Sequence, residues 1–506
     1  MTADIAFRAN GAYEDAGSFR DTLNSKKLFF TPSVVYQLNE DTSFFYELEI
    51  IDQEALFDRG IPILNSQFGL VPIDTFYGEP SDGPMTIEGI AHQVSMQSKI
   101  NENWSINGGI SYRDSSFEGY STEPEVAPGR QQLLIDGETL SRQRRYRDYD
   151  TTDLSGRFEL SGELNTGNVT HHVLVGADAY DYDYHQSLNR WRTTADDTTY
   201  NVDYLNPQYG LSSPADAPLS LVTDVQEDQQ AYGIYIQDQI DVSDEFKLLV
   251  GLRFDDFSLD SHNLISDVVT SQDRSATSPR LGAVYVPNDN YSFYISYSEG
   301  FRPNSGADIN GNSFEPEESI SYEGGLKFST DNESVTGTIA VFHAEKSNIL
   351  SVDPVSGANF AVGEVESEGV EIDLNAALGD ATMLTVSYAY IDAANQNAIT
   401  SPDWWIEIPA GTPLVNVPEN SLNVTVNHQL TVSGYPTSLS VGLTYVDERL
   451  GDAVDPSYIL PSYTTVDVAG SVELTPALTA RLVIDNLFDK EYYDNSYSAL
   501  LSLIHI

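Results

Sequence analysis

The sequence contains no cysteine, and only 25 of its 506 residues are lysine or arginine, against 77 aspartate and glutamate residues. The missing cysteine excludes a disulfide scaffold, thiolate metal sites and cysteine nucleophiles. The formal net charge of −52 argues against binding to nucleic acid or to anionic membrane surfaces, because both need clustered basic side chains. Hydrophobic residues make up 40% of the chain, which argues against low-complexity disorder.

Long apolar runs are also missing. No stretch of 18 or more apolar residues is present, so no transmembrane helix is predicted. The first residues, Met1–Arg8, show no basic segment followed by an apolar core, so no signal peptide is predicted. The chain also lacks a glycine-rich phosphate loop after a strand, a Gly-x-Ser-x-Gly elbow and a His-Glu-x-x-His pair. Catalysis is therefore not predicted.

What the sequence does contain is an alternation of apolar and polar residues with a period of two. Leu439, Val441 and Leu443 alternate with small polar residues, and the segments 421–427 and 291–298 show the same alternation. Successive side chains of a strand point to opposite faces, so each segment has one apolar and one polar face. This pattern predicts an all-β protein, and by itself it fits either an antiparallel sandwich or a membrane-spanning barrel.

The connections favour the barrel, because short and long ones alternate along the chain. The short, turn-like connections lie at Asn39–Thr42, Asn101–Asn103, Asn165–Asn168, Ser243–Glu245, Asn288–Asn290, Asp331–Glu333, Gly379–Ala381, Ser433–Thr437 and Thr475–Ala477. The long ones lie at about 14–26, 54–88, 115–150, 183–228, 258–276, 300–317, 347–359, 394–418 and 449–460. Outer-membrane barrels have short turns on one side and long loops on the other. Two strands per short turn, plus one before the first long loop, predict 19 strands.

Several motifs occur in the order typical of one protein family. The most specific is Val483–Tyr493, which reads VIDNLFDKEYY and resembles the signature NLFDKxYY. Leu460–Asp467 is similar to LPxYTxxD, and Pro316–Lys327 is similar to PExxxxYExGxK. Further matches lie at Tyr235–Gln239, Ser298–Pro303, Ala340–Leu350 and Val365–Ile372. On these motifs the chain resembles the TonB-dependent siderophore receptors of Gram-negative outer membranes over nearly its whole length.

The resemblance implies a transmembrane antiparallel β-barrel of the 22-strand type, which in the family follows a plug domain. Bacterial single-chain barrels have even strand numbers. We therefore expect residues 1–500 to be a partial barrel, strands 3 to 21, with the plug absent. The tail Leu501–Ile506 reads LSLIHI, the translation of a sequencing-library adapter, so we expect it to be non-native.

The function implied by the resemblance is uptake of ferric siderophores across the outer membrane of a Gram-negative bacterium. Binding would occur outside the cell, and import would be energised by the TonB complex acting through the missing N-terminal region. The expected partners are a ferric siderophore, the TonB complex and outer-membrane lipid, with no nucleic acid. Hydroxamate and mixed-type chelates are the preferred cargo. The alternative function is a plug-less diffusion porin or an adhesin-type barrel.

No cofactor and no resident metal are expected, because a ferric siderophore is a preformed chelate and the receptor need not ligate its iron. His171 and His172 adjoin, but adjacent residues of a strand face opposite ways and cannot share one metal. Calcium at an acidic loop stays an alternative.

The first group of candidate ligand contacts is a basic segment in one long loop or strand top. It consists of Arg142, Arg144, Arg145 and Arg147, with Tyr146 and Tyr149. Four of the 25 basic residues lie within six positions of a strongly acidic chain. They would attract an anionic chelate and hydrogen-bond its oxygens. The alternative is pairing with neighbouring acids such as Asp148 and Asp150.

The second group is aromatic. It consists of Trp191, Tyr200, Tyr204, Tyr209, Trp404 and Trp405, all in predicted loops. Aromatic rings on loops can stack on a planar chelate or pair with a cationic one. Packing of the loops on themselves is the alternative.

Overall fold

The computed structural model describes residues 4–63, 67–125, 138–194, 199–210, 217–304, 306, 308, 313–352, 359–400, 406–497 and 500–502. Nineteen long strands of the described chain belong to one sheet, as the sequence predicts. The one short helical element among these residues is the 3₁₀ turn Pro80–Asp82. In the same part of the chain, no helix is long and apolar enough to cross a membrane.

The nineteen long strands are followed here in chain order. They span Ile5–Gly17, Asn24–Gln37, Thr42–Ala55, Met85–Lys99, Trp104–Pro124, Arg142–Thr166, Val169–Arg192, Ser220–Asp241, Phe246–Asn263, Val268–Asn288, Tyr291–Arg302, Glu317–Ser329, Val335–Val352, Asn359–Ala377, Thr382–Asn395, Asn420–Val432, Tyr435–Val446, Tyr463–Thr475 and Leu478–Ile484. Short strands lie in the connections, at Ile61–Pro62, Thr139–Leu140, Val202–Asp203, Ile399–Thr400, Glu407–Ile408, Arg449–Leu450, Ile459–Leu460, Asn495–Tyr497 and Leu500–Ser502.

The chain divides into two compact units. The first comprises Met1–Gln239, Gly251–Pro279 and Pro303–Glu315, and the second comprises Ile240–Val250, Arg280–Arg302 and Pro316–Ile506. Within each unit, strands that follow one another along the chain pair in antiparallel fashion. In the first unit the longest ladder runs from Gln143↔Arg192 to Thr166↔Val169 without a register shift. In the second, a continuous ladder runs from Val365↔Asn395 to Ala377↔Met383.

All nine predicted short turns are found between strands of the sheet, at the predicted places. One of the predicted long loops, 258–276, is wrong, and others, such as 115–150, are shorter than predicted. Residues 115–150 carry the ends of two strands, Trp104–Pro124 and Arg142–Thr166, and residues 258–276 carry two strands joined by the four residues 264–267. These strand ends are polar on both faces, so they lack the alternation from which a strand is recognised.

One face of the strands is apolar and exposed. In the first unit the exposed fractions of Tyr232, Ile234 and Ile236 are 52%, 56% and 53%. In the second unit Leu439 and Val441 are exposed, as predicted, whereas Leu443 is half-buried. The buried apolar side chains lie instead mainly near the strand ends and in the connections, for example Phe76 and Tyr77. A face of this kind is typical of strands that contact lipid, because in water it would be a large exposed apolar patch.

Candidate ligand-binding site

The basic segment forms the first third of the strand Arg142–Thr166, and strand alternation divides it between two faces. Its pairing with both neighbouring strands shows no register shift, so even-numbered side chains share the face of the exposed Leu154 and Phe158. The candidates on that face are Arg142, Arg144 and Tyr146. The candidates on the opposite face are Arg145, Arg147 and Tyr149.

On this opposite face, three arginines surround one buried carboxylate. Glu123 Oε1 accepts hydrogen bonds from Arg147 Nη2 at 2.5 Å and from Ser121 Oγ at 2.7 Å. Its Oε2 accepts from Arg59 Nη1 at 3.0 Å and lies 3.7 Å from Arg145 Nε. We call these five residues the Glu123 cluster. Three guanidiniums and one carboxylate give the cluster a net charge of about +2.

Arg147 and Arg145 differ in how firmly they are held. Arg147 Nη1 also donates to Ser121 Oγ at 2.5 Å, and its guanidinium lies 4.7 Å from the centroid of the Phe57 ring. Among the residues that the structure describes, Arg145 makes the long contact to Glu123 and a bond from Nε to Gln143 Oε1 at 3.2 Å. Its side chain keeps 18% of its surface exposed, against 7% for Arg147. Arg145 is therefore the member of the Glu123 cluster that can turn toward a ligand.

On the other face, Arg142 and Arg144 hold the connection that contains the 3₁₀ turn. Arg142 Nη1 donates to Gly78 O at 2.9 Å and lies 3.6 Å from Glu79. Arg144 Nε donates to Asp82 Oδ1 at 2.9 Å. Both arginines are buried. These contacts fix residues 78–82 against the strand end.

The acids that pair with the arginines are not the predicted ones. The alternative to ligand binding was pairing with neighbouring acids such as Asp148 and Asp150, but the arginines pair with Glu79, Asp82 and Glu123. The physical reason is the strand, since the side chain of Asp148 points away from that of Arg147 on the opposite face. A ligand-binding role of the four arginines stays a prediction.

A second buried ion pair holds the connection that supplies Arg59 and Phe57. Arg20 Nε lies 2.7 Å from Asp58 Oδ2, and Arg20 Nη1 donates to the carbonyl oxygens of Ile73 and Thr75. Burial raises the pKa of Asp58 above its usual value, although the charge of Arg20 opposes this shift. Burial also lowers the pKa of Arg20. The pair places Asp58 and hence its neighbour Arg59 beside Glu123.

Most of the described aromatic candidates pack on other parts of the connections. Tyr204 is buried, stacks on Tyr77 with ring centroids 5.5 Å apart and accepts the Tyr77 hydroxyl hydrogen at its carbonyl at 2.6 Å. Burial raises the pKa of Tyr77. Tyr209 donates to Phe76 O at 2.7 Å. Trp191 and Tyr200 meet edge to face at 4.8 Å. Their role in ligand binding stays a prediction, and Trp404 and Trp405 lie outside the described residues.

The two tyrosines of the basic segment are half-buried. Tyr146 packs on Tyr120 with centroids 4.6 Å apart, and its hydroxyl donates to Glu118. Tyr149 lies on the face of Arg145 and meets Phe117 at 5.9 Å and Tyr184 at 6.4 Å. The partly exposed ring of Tyr149 and the positively charged Glu123 cluster lie on the same face of the strand. This face is therefore suited to an anionic ligand with apolar parts.

Sequence reasoning missed Arg59, Ser121 and Glu123. The sequence carries one signal for two of them: Ser121 and Glu123 are spaced by two residues, as are Arg145 and Arg147, and such a spacing puts both side chains on one face of a strand. The two pairs lie on adjacent strands in shifted positions: Ser121 is opposite Arg145, whereas Glu123 is opposite Gln143 and Arg147 is opposite Gly119. Arg59 has no comparable signal, since it lies in an irregular connection.

Comparisons with known proteins agree with the motifs. Residues 30–487 match the family described as "TonB dependent receptor-like, beta-barrel". The metal-pseudopaline receptor CntO of Pseudomonas aeruginosa is 32% identical over 504 residues, which is 98% of this chain and 68% of the relative. The ferrioxamine B receptor of Salmonella typhimurium is 28% identical over 341 residues, 66% of this chain and 46% of the relative.

Solved structures show the same fold. The siderophore receptor PiuA from Acinetobacter baumannii superimposes with a TM-score of 0.87 at 20% identity, over 99% of this chain and 76% of that one. The ferripyoverdine receptor of Pseudomonas aeruginosa gives a TM-score of 0.79 at 18% identity, over 98% and 65%. The predicted antiparallel β-barrel is thus confirmed at the level of the fold, while the 22-strand form and the absent plug stay predictions.

Proposed function

The chain belongs to the family of TonB-dependent receptor β-barrels, and we propose that it binds a metal–siderophore chelate and serves its uptake across the outer membrane. The names of the relatives support this function, since each is a receptor for a siderophore or a metal chelate. The chain spans 68% of the first relative and 46% of the ferrioxamine B receptor. The activity of a whole receptor is for that reason part of the proposal.

The observation that carries the proposal is the Glu123 cluster. In a chain of net charge −52, three arginines converge on one carboxylate and keep an excess of positive charge. Ferric hydroxamate and mixed-type siderophores present oxygen atoms that accept hydrogen bonds. A guanidinium such as that of Arg145 can donate two parallel hydrogen bonds to such oxygens, which gives orientation as well as affinity.

We propose a ferric siderophore as the cargo and the TonB complex as the source of energy, acting through an N-terminal region. The name of the pseudopaline receptor refers to a metal without specifying iron. A cargo that carries another metal is therefore an outcome that the binding experiment must be able to detect.

Binding is tested with the chain purified in detergent micelles and titrated with ferrichrome or with a hydroxamate chelate that bears a carboxylate, followed by quenching of tryptophan fluorescence. We expect saturable binding of the iron-loaded chelates, at least about tenfold tighter than binding of the same ligands without iron. Gallium- and zinc-loaded chelates report whether the metal matters. Equal binding of loaded and unloaded ligands would contradict the proposal and favour a diffusion barrel.

Replacing Arg145 by Gln is expected to weaken binding of the ferric chelate by about 10- to 100-fold, because a hydrogen bond to a charged group is worth about 1.5–3 kcal/mol. The difference should shrink at high salt, since screening weakens exposed charge interactions. Arg113→Gln is the matched control, because Arg113 lies on the neighbouring strand with 56% of its side chain exposed. If Arg145→Gln bound the ferric chelate as tightly as the unchanged chain, Arg145 would have only a structural role.

A further inference from the structure

Four side chains of the second unit converge on one face of two paired strands. His343 and Glu345 lie on the strand Val335–Val352, and Glu366 and Glu368 lie on the strand Asn359–Ala377. His343 is directly opposite Glu368, and Glu345 is directly opposite Glu366. Residues spaced by two on a strand share a face, so all four side chains point the same way.

The imidazole of His343 lies between the carboxylates. Its Nε2 is 2.9 Å from Glu345 Oε1. Its Nδ1 is 3.3 Å from Glu366 Oε1 and 3.6 Å from Glu368 Oε2. One ligand atom from each of His343, Glu366 and Glu368 lies within 4.8 Å of the others. Both ring nitrogens are thus committed to carboxylates.

The hydrogen-bond chemistry fixes the role of each nitrogen. A carboxylate only accepts, so Nε2 carries the hydrogen that it donates to Glu345. In the neutral imidazole the lone pair of Nδ1 then faces two further carboxylates. Three electron-rich atoms at this distance repel one another unless a proton on Nδ1 or a metal cation lies between them.

We propose that Nδ1 of His343 and the carboxylates of Glu366 and Glu368 bind a divalent transition-metal ion such as Zn²⁺. Imidazole nitrogen and carboxylate oxygen are ordinary zinc ligands, and water would complete the coordination. Glu345 is the positioning residue, because a metal-bound histidine typically donates its other N–H to a carboxylate that holds the ring. The imidazole also selects against Ca²⁺ and Mg²⁺, which prefer oxygen ligands alone.

The site is partly exposed and lies on strands of the second unit, whereas the residues of the Glu123 cluster belong to the first. The exposed fractions are 32% for His343, 32% for Glu366 and 61% for Glu368, so an ion can enter without a change of the sheet. Val341, on the same face two residues before His343, is an exposed apolar residue. The cluster therefore lies on the face of the exposed apolar side chains, where its charged pairs follow the apolar pair Val341–Val370, so we expect it beyond the band that contacts lipid. Its residues differ from those of the chelate contacts, so its test does not depend on the siderophore proposal.

The test uses the whole chain, purified in detergent with a tag that contains no histidine. Zn²⁺ is titrated in competition with a chromophoric indicator at neutral pH, with millimolar Ca²⁺ present to occupy weak acidic sites. We expect one Zn²⁺ per chain to bind more tightly than the background. His343→Gln should weaken this binding at least about 100-fold, and Glu345→Gln about 10-fold, the usual range for an orienting carboxylate. His428→Gln is the matched control, because His428 is bonded to the hydroxyl of Thr382.

The outcomes separate the metal from the alternative, a proton held between the imidazole and the carboxylates. X-ray absorption of the bound zinc should show one imidazole nitrogen, and this signal should vanish in His343→Gln. Unchanged Zn²⁺ affinity in that variant, or displacement of the ion by Ca²⁺, would overturn the proposal. Circular dichroism and heat-dependent gel migration verify that each variant keeps its fold.

Discussion

Replacing Glu123 by Gln is expected to lower the free energy of local unfolding around the Glu123 cluster by about 3–5 kcal/mol. This is the usual cost of removing one partner of a buried ion pair. The side chain of Glu123 is 0% exposed, and those of Arg147 and Arg59 are 7% and 18% exposed. Without the carboxylate, the buried guanidinium of Arg147 and the partly exposed one of Arg59 keep like charges close together, with no carboxylate of the cluster to balance them. Hydrogen exchange of the amides in 119–124 and 56–60 measures the loss.

Two further variants test whether the loss of stability in Glu123→Gln comes from the missing negative charge or from the change of side chain in general. Glu163→Gln removes an exposed carboxylate from the strand Arg142–Thr166 and should change stability by less than about 0.5 kcal/mol. Adding Arg147→Met to Glu123→Gln should recover much of the loss, because methionine can pack on Phe57 and one buried charge is gone. Equal exchange rates in the wild type and Glu123→Gln would mean that the cluster does not hold the connection.

The fold could be predicted from the sequence where the chain obeys simple local rules. Eight of the nine short turns carry Asn, Asp, Ser or Gly, the exception being Thr475–Ala477, and the structure uses such residues at positive φ, for example Ser433 at 54° and Gly434 at 87°. These residues tolerate the left-handed conformation that tight turns require. Turn positions therefore fix the strand count without knowledge of the loops.

The strand lengths could not be predicted in the same way. The segment Ser115–Pro124 belongs to a strand although polar residues occupy both of its faces. Its pairing with the strand Arg142–Thr166 comes from backbone hydrogen bonds and from partners far along the chain, such as Arg59 for Glu123. Periodicity reports a difference in environment between two faces, and where both faces are polar the signal disappears.

The candidate site was predictable in composition but not in connectivity. Clustered arginines in an acidic chain indicate a place where charge matters, and the structure does bring three arginines to Glu123. Their division between two faces follows from the strand, whereas the sequence left open whether this segment is a loop or the top of a strand. The partners Glu79 and Asp82 lie about 60 residues from the arginines that they bind. Only the three-dimensional structure relates such residues.

Replacing Val441 by Arg is expected to lower the free energy of unfolding in lipid vesicles by about 2–4 kcal/mol, the cost of a cationic side chain on the lipid face near the bilayer centre. Val441 is near the middle of the strand Tyr435–Val446 and is 48% exposed. It lies directly opposite Val426 on one side and Val468 on the other. These three valines form a row that offers a guanidinium no polar partner. Denaturant-induced unfolding, followed by tryptophan fluorescence, measures the effect.

Ser440→Arg is the decisive control, because it places the same side chain one residue away on the opposite face. Ser440 lies between Asn427 and Ala469, and substitutions on the face that does not contact lipid are tolerated far better. We expect its effect to stay below about 1 kcal/mol. In a soluble sandwich the half-exposed Val441 would face water, where arginine costs little, so Val441→Arg would not be the more costly variant. Equal costs for both variants, or a larger cost for Ser440→Arg, would therefore contradict a membrane-spanning barrel.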